Sequence, residues 1–310
     1  MELKKLLLTS ICGFLFIISP AQAEKTKVTG LFLSVPVGAK PTALGGAYTA
    51  MADGVYGLYW NPAGISKTEN YEVIFCHNNY MLDVNQQFIG ITKKIKNTPH
   101  NIGFSINIFD NGKFEETLIT DAINHQNAGN FNSKDYAVSL TYGSNRSKKL
   151  NFGATMKYII SKISDAKANA LAFAIGWLLN IKIKEILFDF GVVVSNIGSK
   201  LKFDRDEEDL PLTAKFGVSA KFDVSEIISL RPVIDNVFFK NDKYRICGGI
   251  AIQVIENYYI RCGYDDLNEI SSGLTLGFGA AFNKKIEIDY SYSDYDALSN
   301  AHKFSVLYKF

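Results

Sequence analysis

Cysteine, histidine and proline are scarce in this chain: four, four and seven among 310 residues. One cysteine, Cys12, lies in an apolar leader, and the odd number that follow it, Cys76, Cys247 and Cys262, excludes a framework in which every thiol pairs within the chain. Residue alternation also sets Cys247 and Cys262 on opposite faces of neighbouring strands, which argues against a bridge between them. The histidines, His77, His100, His125 and His302, share no spacing with Cys or Glu that suits a metal. No Gly-x-Ser-x-Gly elbow, phosphate loop or dinucleotide fingerprint is present, so catalytic residues, cofactor and metal are all assigned as none. Excess charge of one sign is missing too: the formal net charge is +2, which gives nucleic acid no electrostatic footprint. Long apolar runs are absent after the leader. The longest uncharged stretches, Ala168–Ile181 and Ile270–Asn283, fall short of the about 20 residues that a spanning helix needs.

What is present is hydrophobic (47%) and aromatic (13%). Residues 1–23 follow the export pattern: MELKK is a short charged start, LLLTSICGFLFIIS an apolar core, and Ala21-Gln22-Ala23 a small-residue cleavage site. A cleaved signal peptide is expected there.

From Tyr71 onward the dominant period is two, which marks strands with two chemically different faces. In DYAVSLTYGS, Tyr136, Val138, Leu140 and Tyr142 share one face, and Ala137, Ser139 and Thr141 share the other. Fourteen such strands are expected, near 71–79, 84–94, 100–109, 133–142, 149–161, 168–179, 186–196, 212–221, 228–237, 243–254, 257–264, 272–282, 285–293 and 302–310. Several match the about 9–11 residues of a tilted membrane strand. In hydrocarbon only a closed barrel leaves no unpaired edge. The fold class expected is therefore all-β: a transmembrane antiparallel barrel of about 14 strands over 71–310, preceded by a small N-terminal segment, 24–70, in its lumen. With both termini periplasmic, the external connections average about twice the length of the periplasmic ones, the asymmetry of outer-membrane barrels. Outer-membrane lipid is then the surrounding solvent.

The chain ends in HKFSVLYKF, which places Phe304, Val306, Tyr308 and Phe310 on one face. This resembles the C-terminal signal by which the barrel-assembly machinery recognises its clients. Outer-membrane localisation in a bacterium of Gram-negative type follows from it and from the leader.

The segment PVGAKPTALGGAYTAMADGVYGLYWNPAGIS resembles the N-terminal signature of the PorV/PorQ family and, more distantly, that of the FadL-like transporters of hydrophobic compounds. Gly54 departs from the pattern, since many relatives carry a second acid there. The resemblance implies a hatch folded into the periplasmic end of the lumen, with Pro41, Leu44, Gly45, Gly46, Asp53, Trp60, Asn61, Pro62 and Gly64 as its signature residues. Glycine and alanine keep such a plug thin. Asp53 is expected to anchor it, hydrogen-bonded or paired with a Lys or Arg from the inner face of a strand. Asn61-Pro62 is expected to turn the chain into the first strand, with Tyr59 and Trp60 packed on the wall.

The connection 110–132 reads as a long external loop whose Phe114, Leu118, Ile119, Ile123 and Phe131 would be costly in water. They are candidates for a ligand or partner contact. Two functions are consistent with these readings. One is passive transport of hydrophobic or amphipathic small molecules past the hatch or through a gap in the wall. The other, implied by the PorV resemblance, is binding of exported cargo protein in type IX secretion.

Overall fold

The computed structural model describes residues 29–80, 84–119, 125–147, 149–203, 206–240, 244–266, 272–295 and 300–310. Residues 1–23, the expected signal peptide, and Ile123 lie outside them, as do the side-chain positions of Leu118 and Ile119.

The first eight strands in chain order are β1 (Tyr71–Asn79), β2 (Asn85–Lys94), β3 (His100–Ile119), β4 (His125–Asn145), β5 (Leu150–Ile163), β6 (Ala166–Ile183), β7 (Ile186–Gly198) and β8 (Leu201–Phe203). The remainder are β9 (Asp206–Glu208), β10 (Thr213–Asp223), β11 (Ile228–Phe239), β12 (Tyr244–Val254), β13 (Tyr258–Asp265), β14 (Leu274–Phe282), β15 (Ile286–Ser293) and β16 (Ala301–Lys309). Fourteen of them close into one antiparallel barrel, each paired with its neighbours in sequence, with β8 and β9 set aside as a small ribbon in the β7–β10 connection. Closure is between the first and last strands, in register from Glu72↔Lys309 to Asn79↔His302. The turn between β14 and β15 shows how short the periplasmic links are. Asn283 and Lys284 both take left-handed backbone (φ 52° and 56°), as a two-residue hairpin turn demands.

Alternation sorts the wall as a membrane requires. Leu140, Phe173, Ile260, Phe278 and Phe304 are exposed on the outer face, while Asn107, Thr141, Thr155, Asp235 and Asp289 are buried within. Cys247 and Cys262 are free; the first is buried toward the lumen and the second belongs to the outward set.

One feature differs from the expectation, and a second breaks the regular ladder. Residues 110–119 and 125–132 are not loop: β3 and β4 continue paired to Ile119↔His125, with register shifts after Asp110 and Glu116. β2 leaves β3 at Asp110 and β5 leaves β4 at Ser133, so the hairpin projects alone by about 20 Å at the usual strand rise. In β7, Ser195 and Asn196 oppose the single residue Ala174, because the register steps from Phe173↔Ile197 to Ile175↔Val194. This is a β-bulge, with Asn196 at φ 62°.

The segment 29–70 lies inside the barrel as three 3-10 turns, Leu31–Ser34, Gly54–Leu58 and Pro62–Lys67, and one turn of α-helix, α1 (Ala39–Thr42). It begins on the external side, where the Thr29 N–H donates to the Asp209 carbonyl at 3.1 Å, and descends to the periplasmic start of β1.

Candidate functional site: the hatch and the half-lumen above it

The hatch is fixed by backbone contact on most of the wall and by charge on the rest. Ten strands, β2 to β7, β10 and β12 to β14, turn a glycine inward at hatch level. A β-carbon at Gly217 would lie 2.9 Å from the Ala50 nitrogen, and one at Gly249 would lie 2.8 Å from Leu44 Cα. Any side chain there would unseat the plug.

The other four strands carry polar groups that reach the hatch. From β11, the Asp235 carboxylate accepts the N–H groups of Tyr48 (3.0 Å) and Thr49 (2.9 Å). Glu72 of β1 accepts from the Val55 N–H at 2.8 Å. On β15, Glu287 pairs with Lys40 of α1 at 3.0 Å, and Asp289 accepts from the Tyr56 hydroxyl at 3.3 Å. Arg261 of β13 binds Asp289 at 2.6 Å and approaches Glu287 at 3.7 Å, so the two acids share a buried cation. From β16, Lys303 donates to the Pro36 carbonyl at 2.6 Å, and the Ser305 hydroxyl accepts the Ala39 N–H at 2.7 Å. Burial alone would depress the Lys40 ammonium; Glu287, with Tyr48, Asp53 and Asp289 behind it, reverses this and holds its pKa well above the ordinary lysine value.

The signature residues take distinct places. Pro41 is buried in α1, and its carbonyl accepts from Leu44 and Gly46. Gly45 and Gly46, at φ 66° and 77°, reverse the chain under Tyr264, while the Gly45 N–H donates to the Thr275 hydroxyl at 3.0 Å. Leu44 is fully buried. Gly64 packs on Ala52, where a β-carbon would meet backbone at 2.9 Å. Asn61 caps the turn that Pro62 begins, accepting from the Ala63 N–H, and its amide donates to the carbonyls of Thr49 and Trp177. The side chain thereby ties both halves of the hatch to the wall.

Asp53 takes the first of its two expected alternatives, a hydrogen bond, though within the hatch, and Trp60 differs from the expectation. Asp53 makes no ion pair with a strand Lys or Arg among the described residues; it accepts from the hydroxyl of Tyr48, another hatch residue, at 2.9 Å. Burial would raise its carboxyl, but Lys40, Lys67 and Lys309 and the Tyr48 hydrogen bond bring it down to about 2. The anchoring is inverted: the wall supplies the charge and the hatch supplies mostly backbone N–H and carbonyl groups. Trp60 sits in the middle of the hatch rather than flat on the wall. It stands edge-on to Tyr48 and Tyr59 and donates its indole N–H to the Val37 carbonyl at 2.9 Å. One strand cation, Lys215, lies 5.0 Å from its ring.

Above the hatch the lumen is lopsided. Across β3 to β6 its wall is Phe109, Ala137, Ile159, Ala168, Ala170 and Ala172, and onto it pack Phe32 and Leu33 from the N-terminal segment with Leu201 and Leu210 from the external connection. At the lower margin are Lys157, which donates to Asn196 at the bulge (3.0 Å), and Lys215. Neither has a carboxylate within ion-pair distance among the described residues. The Arg245–Asp265 pair (3.3 Å) faces them from β12 and β13. On the periplasmic side a polar cavity of about 400 Å³ opens between Tyr259, Lys285, Glu287 and Lys309.

Of the remaining candidates, Phe114 and Phe131 stack across the projecting hairpin with ring centroids 5.4 Å apart. Phe304, Val306, Tyr308 and Phe310 do share the outward face; the Phe310 ring packs edge-on to Tyr308 at 4.5 Å and its N–H donates to the Tyr71 carbonyl at 3.0 Å. Sequence reasoning did not single out Asp235, Glu72, Glu287, Asp289 or the inward glycines.

Comparison with curated proteins finds no significant match. Among solved structures the chain is similar to the CymD monoaromatic hydrocarbon channel, at 12% identity over 89% of this chain and 98% of that one, with a TM-score of 0.56. It is also similar to the toluene transporter TodX of P. putida, at 11% identity over 88% of this chain and 98% of that one, with a TM-score of 0.54. At such identities the likeness is one of fold alone. A family model does match the sequence itself, over residues 17–229, a span that takes in the whole hatch and the barrel as far as β10. The chain belongs to the family described as Uncharacterised protein family UPF0164.

Proposed function

We propose that this barrel conducts hydrophobic or amphipathic small molecules passively across the outer membrane, taking them in at the external mouth. The observation that carries the reading is the apolar half-lumen above the hatch. A porin keeps its interior polar and hydrated, whereas here alanines, Ile159 and Phe109 line a wall that the chain covers with its own Phe32 and Leu33. A surface filled by a Phe and a Leu of the protein has the size and polarity for an apolar guest. Lys157 and Lys215 at its lower margin would suit a guest with an acidic end. The bulge at Ser195–Asn196, next to the hatch contact at Gly176, is the local break in the ladder that a path around a sealed plug calls for. Similarity in fold to hydrocarbon channels supports the same reading. Native mass spectrometry of the protein, purified gently from its own membranes, tests it. A reproducibly bound amphiphile is expected, and a barrel that never carries one would count against the proposal.

One observation favours a second reading, cargo binding in protein secretion as the PorV resemblance implies. The β3–β4 hairpin stands clear of the barrel and carries the stacked Phe114 and Phe131, with Phe114 exposed. Under that reading, an exported protein copurifies with the barrel and is lost with Phe114→Ser.

A further inference from the structure

The outward wall holds a depression. Across β2 to β6 a groove of about 760 Å³ opens toward the membrane, almost wholly apolar. Its cause is one small residue. Ala154 lies between Tyr142 and Ile175 on the neighbouring strands, and the next outward row is Phe104, Leu140, Met156 and Phe173. A methyl in a field of large side chains leaves a gap the length of a side chain, and the surrounding rings form its rim.

At the periplasmic end of the groove stand Tyr71 and Lys93, with the Lys93 ammonium 5.0 Å from the Tyr71 ring. The two periplasmic turns flanking this end, 95–99 and 146–149, add the exposed Lys96, Arg146 and Lys149 and contain no carboxylate. We propose that the groove is a binding site for one anionic diacyl phospholipid of the inner leaflet, with an acyl chain over Ala154 and the phosphate at Lys93. Within a bilayer an apolar groove gains nothing from the hydrophobic effect, because the competing solvent is itself hydrocarbon. Retention must come from close packing of a chain into the depression and from the charge at its end. The groove supplies the first and the basic turns the second.

The full-length barrel in mild detergent, offered an equimolar mixture of phosphatidylglycerol and phosphatidylethanolamine, tests the proposal by native mass spectrometry. One phosphatidylglycerol per barrel is expected to survive activation, with a preference of about fivefold, the scale of one lysine near a charged surface. Ala154→Phe, which fills the groove, should abolish the retained lipid, and Lys93→Gln should lower the preference measurably. Ile260→Phe, on the far wall, should change neither. Equal retention of the two lipids by the native chain would overturn the proposal, as would an Ala154→Phe barrel that keeps its lipid. Heat-modifiable migration in gels shows which variants are folded. If Ala154→Phe does not fold, Lys93→Gln alone decides, and an unchanged preference overturns the assignment.

Discussion

Asp235 Oδ2 lies 2.9 Å from the backbone nitrogen of Thr49, and the same oxygen takes the Tyr48 N–H at 3.0 Å. One carboxylate in the middle of β11 thus holds the centre of the hatch. Asp235→Ala removes two charge-assisted hydrogen bonds and leaves two buried N–H groups without a partner, a loss of about 3 kcal/mol. Leakage of a small hydrophilic solute from proteoliposomes should rise clearly above that of the native barrel, with gel migration unchanged. Native-like leakage would show that the latch is not at Asp235.

The inward glycines make a second test independent of charge. Gly249→Val places a branched side chain where the β-carbon alone would sit 2.8 Å from Leu44 Cα, and overpacking of this kind costs about 1–3 kcal/mol. Raised leakage is expected. Gly248→Ala, one residue along, meets no atom closer than 3.6 Å and should behave as the native protein. Equal leakage from the two would contradict the belt.

Asp53 gives a pH dependence with a defined sign. Its carboxyl is held at about 2, below the ordinary 3.8, so its contribution is present above 3.8 and is lost as pH falls through about 2. The difference in leakage between the native chain and Asp53→Asn should stay constant from pH 7 to about 4 and close toward pH 2. A difference that closes between pH 7 and 5 would mean that the carboxyl is not held down.

The strands were legible because the membrane enforces period two on every one of them; β1, expected near 71–79, spans Tyr71–Asn79. The end of the β3–β4 hairpin was not, since KFEETLI and HQNAGNF project past the wall, where residues 113–116 and 129–130 are exposed, and the sequence there loses the apolar alternation. The signature glycines and Asn61 were readable from their residue types. The true anchors had a weaker signal: acids on the inner face of a strand, Asp235 in RPVIDNVFF and the pair Glu287 and Asp289 in KIEIDYSYS. Such an acid needs a buried partner, but the strand alone does not say that the partner is a backbone N–H of Tyr48 and Thr49 rather than a cation. Sequence placed the compensating charge on Asp53 for the same reason, since it is the one acid in the signature stretch 36–66.

Phe310 closes the barrel seam through its N–H to the Tyr71 carbonyl and its ring on Tyr308. Deleting it should lower the yield of heat-modifiable, membrane-inserted protein several-fold while leaving the chain's synthesis and export intact. Full assembly of the truncated chain would remove the C-terminal strand from any role as an assembly signal.

The measurement that bears most directly on the account is solute flux into proteoliposomes containing the purified barrel, compared for an apolar solute such as toluene, a fatty acid and a sugar of similar size. Faster uptake of the apolar or amphipathic solute than in protein-free vesicles is expected, with no acceleration for the sugar. Sugar flux equal to that of the apolar solutes, or no acceleration of any of them, would contradict it.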